Sequence, residues 1–264
     1  MPKYCSFCGE SNTPTNDEHI IPKWMSRLYP DITWRVENTI TGYVRPGHKY
    51  IPLTVRWCEP CNGGWMHDLE DEARPILIPL IEGKRTILTP EEQEIIRTWF
   101  CLRAMVYDID ATRRAQRDEH RSRYFEESEH RQLAAGQGFH PNYEFFLAKY
   151  VGSQPGYLRE DSFKVSFFRG NAKHPEGDIT PGYSVTLIFK HLVLQIICVK
   201  SAESFVYAMP DLRAYCFKFG EGFTIGYPPP FPFGDSHIND FAERCSKYML
   251  VRSVIPSDAP QEPP

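Results

Sequence analysis

The chain has 264 residues, 41% hydrophobic and 24% charged, with 34 acidic against 30 basic side chains and a formal net charge of −4. That is enough apolar material for one large domain or two small ones, and it excludes a strongly basic protein that would hold nucleic acid by bulk charge alone. The longest apolar runs, such as HLVLQIICV, fall well short of the roughly 20 residues of a membrane span, and MPKYCSFCGE carries no secretory signal. A cytoplasmic setting with reduced thiols is expected.

In chain order, the first landmarks are two C-x-x-C pairs, Cys5/Cys8 and Cys58/Cys61, with 49 residues between them. Where thiols stay reduced, such pairs more often bind metal than form disulfides, and no thioredoxin-like strand–helix context surrounds these. Four soft thiolates in two short knuckles suit a closed tetrahedral zinc site, which is structural because it leaves no position for a reacting water. A plain zinc ribbon does not need so long an insert, so the insert is expected to carry something of its own. It contains NDEHIIPKW, with Glu18 and His19 adjacent. On an extended strand these two point to opposite faces, whereas at a strand end or bulge they can converge on one cleft.

Further along, ITGYVRPGHKYIPLTVRW predicts a hairpin about a turn at Pro46–Gly47. After Cys61, the spacing of Trp65, Met66 and Leu69 predicts a short helix starting near Asn62 and interrupted by Pro75. These three read as core and His67 as surface. Asn62 has the chemistry of either a helix cap or a metal ligand. TPEEQEIIRTWFCLRAMVYDI is the clearest helix, with Thr89 as cap, Pro90 in the first turn, and Glu91 and Glu92 at the positive end of its dipole. The next segment, ATRRAQRDEHRSRYFEESEHRQLAAG, is expected to be helical in parts, with a solvated face of interleaved charges.

From Tyr143 the pattern changes to strands: YEFFLAKYVG, SFKVSFFRG, YSVTLIFKHLVLQIICV and LRAYCFKFG. A late helix is expected in SHINDFAERCSKYML, and a disordered tail in PSDAPQEPP. Cys101, Cys198, Cys216 and Cys245 are scattered, and the apolar neighbours of the first three mark them as buried hydrophobes.

Cys5-x-x-Cys8, Glu18-His19-Ile20-Ile21-Pro22 and Cys58-x-x-Cys61-Asn62, in that order, resemble the HNH endonucleases, the zinc-bearing branch of the ββα-metal nucleases. The resemblance covers residues 1 to about 75 and says little about residues 140 to 264. It implies a zinc-stabilised, four-cysteine HNH (ββα-metal) module over residues 1–75; with the element pattern of the remaining residues, the expected fold is α+β, with a helical connector over 76–138, an antiparallel β-rich α+β region over 139–250 and a tail over 251–264.

By position, the resemblance also implies that Glu18 and Asn62 ligate a catalytic divalent ion, Mg²⁺ or Mn²⁺, and that His19 is the general base, while Cys5, Cys8, Cys58 and Cys61 hold structural Zn²⁺. The expected activity is hydrolysis of nucleic-acid phosphodiesters, DNA before RNA, with defence against foreign DNA as a role by analogy. The alternative is a non-catalytic zinc-binding adaptor or nucleic-acid-binding protein. A membrane partner is not expected. One departure from the family pattern is visible: IPLTVRW, before the second knuckle, lacks the asparagine that in the family helps position the catalytic loop and histidine, and Asn38 is the nearest candidate. An imidazole's ordinary pKa, about 6.5, suits the role of base at neutral pH.

Overall fold

The computed structural model describes residues 4–11, 14–38, 43–48, 54–115, 124–165, 167–169, 172–173, 180–200, 205–208, 215–248 and 250–253. Its first part holds β1 (Thr15–His19), α1 (Lys23–Leu28), β2 (Trp34–Asn38), β3 (Tyr43–His48), β4 (Thr54–Cys58), α2 (Glu59–Asn62) and α3 (Trp65–Ile81). Then come β5 (Thr86–Leu88), α4 (Pro90–Ala115) and α5 (Glu127–Ala134). The rest is strand-rich: β6 (Glu144–Lys149), β7 (Gly156–Val165), β8 (Phe167–Arg169), β9 (Ala172–Lys173), β10 (Thr180–Phe189), β11 (Leu192–Val199), β12 (Phe205–Ala208), β13 (Cys216–Lys218), β14 (Ile225–Tyr227), α6 (Asp235–Tyr248) and β15 (Leu250–Ser253).

The centre is a seven-stranded sheet in the order β13-β6-β11-β10-β7-β2-β3. Its pairings are antiparallel except for the parallel β2–β7 contact. Strands β10 and β11 form its spine, and β11 is buried at every position. A strand with helices over both faces reads as a continuous apolar run because neither face meets water. Residues of opposite parity enter separate cores. Leu187, Phe189, Leu192, Leu194 and Ile196 join the core beneath α3 and α4, while Ile188 and Val193 join Phe241 and Ala242 of α6.

The outer ribbon of this sheet comes from the first 48 residues. β2 runs beside β7, and Trp34 stacks on Phe189 at 5.3 Å. Pro46 and Gly47, expected at a hairpin turn, lie inside edge strand β3, where the register slips between Trp34 and Val36. Proline cannot donate to a ladder, and an irregular edge strand tolerates that loss. β4, expected to pair with this segment, pairs instead with β1, antiparallel from Thr15↔Cys58 to His19↔Thr54.

α3 also departs from expectation by continuing through Pro75 and Pro79 to Ile81. Both prolines face away from the fully buried stripe of Leu77, Leu80 and Ile81. A carbonyl orphaned by an interior proline costs least where water can reach it. α4 forms as read, with a reciprocal cap: Glu92 N–H donates to Thr89 Oγ1 (3.3 Å), and Thr89 N–H donates to Glu92 Oε2 (2.9 Å). β15 extends into the segment expected as a tail, and residues 254–264 lie outside the described residues. No described helix is long and apolar enough to cross a membrane.

Candidate functional site

The two knuckles converge. One thiol sulfur each from Cys5, Cys8, Cys58 and Cys61 lie within 4.8 Å of one another, and among the described residues this is the only His/Cys/Asp/Glu group of three or more that converges. Cys8 Sγ and Cys58 Sγ are 3.5 Å apart. That is too long for a disulfide, about 2.05 Å, and close to the ~3.8 Å between sulfurs implied by ~2.3 Å Zn–S bonds in a tetrahedron. The donor set therefore fits a metal ion such as zinc.

Local sequence builds each knuckle. In the first, Gly9 takes φ +79° and returns its N–H to the Cys5 carbonyl at 2.8 Å. In the second, Cys58 caps α2, its sulfur accepting from the Cys61 N–H at 3.4 Å. α2 then passes to α3 so tightly that a Cβ on Gly64 would lie 2.5 Å from the Pro60 carbonyl oxygen. Only glycine fits there.

Without metal, burial and neighbouring thiols push the Cys58 thiol up to about 11, and burial raises Cys61 further. Burial acts on Cys5 in the same direction, but backbone hydrogen bonds at Cys58, Cys8 and Phe7 outweigh it and hold Cys5 below its ordinary value. A bound cation would deprotonate all four.

Phe7, inside the first knuckle, ties the cluster to the core. Its ring meets Trp57 of β4 at 4.8 Å, Trp65 of α3 at 5.4 Å and His130 of α5 at 5.0 Å, each edge-on. Tyr4 adds a bond from its hydroxyl to Glu127 at 2.8 Å.

Glu18 and His19 are the last two residues of β1. The ladder stays regular through both, opposite Val55 and Thr54, and His19 is buried. Asn62 ends α2, half-buried, and α2 packs on both β1 and β4. The amide of Asn38 donates to Glu160 across the β2–β7 pairing.

Two residues that the sequence reading passed over complete the surroundings. Arg103 of α4 makes a short ion pair with Glu18 Oε1, and the same nitrogen, Nη1, donates to the His19 carbonyl at 2.8 Å. Glu70 of α3 lies in the same charge cluster. Burial raises its carboxyl above the ordinary range and the Glu18 charge adds to this, while Arg103, Arg74 and His67 oppose. A signal for Arg103 was present: it is the one charge within the apolar stretch WFCLRAMV. His67 is exposed and faces Asp71 at 3.5 Å.

Cys101, Cys198 and Cys216 are buried as expected, and the side chain of Cys245 lies outside the described residues. Fold and site together define an α+β protein with a large antiparallel-rich sheet and a four-cysteine group able to hold a metal ion. No family model, no curated protein and no solved structure matches the chain.

Proposed function

We propose that the chain is a metal-dependent endonuclease that hydrolyses phosphodiester bonds of nucleic acid, DNA before RNA, as its resemblance to the HNH nucleases implies. One observation carries the reading. The strand bearing Glu18 and His19 is laddered to β4, and β4 runs without a break into Cys58, Cys61 and Asn62. A metal clamped by the four thiols would therefore fix the register of the carboxylate, the imidazole and the amide together.

In this reading Glu18 and Asn62 would hold Mg²⁺ or Mn²⁺. The donor chemistry fits: one carboxylate and one amide oxygen are hard ligands, and such ions keep several water positions for phosphate to fill. When bound, the ion supplies charge neutralisation at the scissile phosphate and the leaving oxygen. In this reading His19 takes the proton from the attacking water. Arg103 fits this role for Glu18 because it engages Oε1 alone, and Oε2 has no protein partner among the described residues. Cleavage of foreign DNA is the role assigned by family analogy.

The second reading, a non-catalytic zinc-bearing adaptor, is favoured by the same ion pair, which already satisfies much of the Glu18 charge. Nicking of supercoiled plasmid in Mg²⁺ or Mn²⁺ separates the two. Wild type is expected to nick, and His19→Ala at equal zinc content to lose about 10²- to 10⁴-fold in rate. Equal rates for the two proteins would assign the activity elsewhere. DNA retention without nicking would favour the adaptor.

A further inference from the structure

We infer that Arg103 is the positioning residue of the Glu18–His19 step, acting from α4, outside the segment that carries the sequence motifs. The inference rests on the hydrolytic reading above. Arg103 bridges two neighbours through one atom: Nη1 reaches both the Glu18 carboxylate and the His19 main-chain carbonyl. A guanidinium that only stabilises a carboxylate tends to form a two-pronged fork with it. Here the fork is given up, and Nε and Nη2 have no hydrogen-bond acceptor among the described residues. The geometry instead fixes one residue by its side chain and the next by its backbone, which sets the direction of both.

The bridge is itself held firmly. Arg103 is 5% exposed in its side chain, so it is shielded from direct contact with a nucleic acid. Its guanidinium lies 5.9 Å from the ring of Trp99, one turn earlier on α4, and Trp99 is fully buried. Glu70 of α3 lies close enough to interact electrostatically with both Arg103 and Glu18. Three elements thus meet at one cation: β1, which carries the reacting groups, and α3 and α4, which belong to the main core. Beyond His19 the chain turns at once into buried Ile20 and Ile21 and the start of α1, so the end of β1 has little freedom apart from the direction this contact sets. Partners behind a metal-binding carboxylate commonly govern both metal affinity and rate.

The test uses the zinc-loaded full-length chain with Mn²⁺ and supercoiled plasmid, comparing wild type, Arg103→Met, Arg103→Lys and His19→Ala. Zinc content and folded fraction are measured for each, and rates are expressed per folded, zinc-loaded molecule. Arg103→Met is expected to lower kcat about 10- to 100-fold and to raise the dissociation constant for Mn²⁺, read without DNA from the electron paramagnetic resonance of the free ion, about tenfold. KM for plasmid stays within about twofold, because a buried side chain does not touch the substrate. Arg103→Lys keeps the charge but not the planar geometry, and falls between Met and wild type.

An Arg103→Met protein with wild-type kcat and Mn²⁺ affinity overturns the inference. So does an Arg103→Lys protein indistinguishable from wild type when Arg103→Met fails to fold, because charge balance alone then accounts for the residue. Failure of the hydrolytic reading looks different: wild type does not nick, or nicks no faster than His19→Ala. Either result removes the inference with it.

Discussion

The β1–β4 region and the seven-stranded sheet solve the same problem with different means. The sheet is held by burial: β11 has no exposed position, and two apolar cores flank it. Even its charges are internally matched. Arg159 donates to Asp161 (2.8 and 3.0 Å) and Glu243 (3.0 Å) and lies 3.5 Å from Glu37, whose other bonds come from Arg35 and Tyr157. Among the described residues, β1 and β4 pair only with each other, over five residues. A lone two-stranded ribbon is marginal in water, so this one depends on the four-thiol cluster, the Phe7 contacts and Arg103. In the proposed reading, a region that aligns polar groups has less apolar surface to spare for its own stability, and a metal held by the four thiols would compensate for that.

The largest expected effect breaks the comparison at the clamp. Chelating the metal removes a contribution on the order of 10 kcal/mol in small zinc modules. Hydrogen exchange is expected to rise at Thr15–His19 and Thr54–Cys58, while β10 and β11 stay protected. Equal loss in both regions would show that they do not differ in what holds them. Because the metal-free Cys58 thiol sits up to about 11, protons compete with the ion, and retention weakens as pH falls.

Next in size, Arg159→Leu is expected to cost about 3–5 kcal/mol in urea unfolding, because it removes the buried guanidinium that Asp161 and Glu37 share. Zinc content should not change. Phe7→Leu is smaller, about 1–2 kcal/mol from lost edge-on contacts and imperfect packing, and its mark is faster zinc release to a chromogenic chelator.

The smallest effect sharpens the comparison from the sheet side. Asp235, at the start of α6, is held below its ordinary pKa by the Tyr150 hydroxyl and by the Ser153 side chain and N–H. A depressed folded pKa stabilises above the unfolded value and loses that contribution as pH falls through the folded one. Asp235→Asn should therefore lower stability only slightly at neutral pH, because solvent screens this exposed carboxylate, with the deficit closing below about pH 4. A deficit that stays constant down to pH 2 would rule out the carboxylate as its source.

Much of the fold was legible because it follows local rules. The Thr89 cap, the helix after it, the strand character of β10 and β11 and the helix α6 follow from capping chemistry, apolar period and β-branched residues. The pairing of the two C-x-x-C motifs was legible as well, since four thiols close together have one obvious use. The errors came where partners lie far apart in sequence: β4 pairs with β1 rather than with the neighbouring hairpin, and Pro46–Gly47 sits inside an edge strand. Pro75 did not end α3, because water on its exposed side offsets the lost hydrogen bond and core burial on the other side holds the helix.

By itself, the sequence determined the type of the longer elements, such as α4, α6, β10 and β11, and the identity of the four metal-competent cysteines, because propensity, periodicity and ligand chemistry act over short stretches. The tertiary structure alone decided that β2 and β3 join the main sheet, that Asn38 turns to Glu160, and that Arg103 reaches back across 85 and 84 residues of chain to meet Glu18 and His19. The physical reason is that a buried ion pair or a strand pairing depends on which surfaces close over it, and no local pattern encodes that closure.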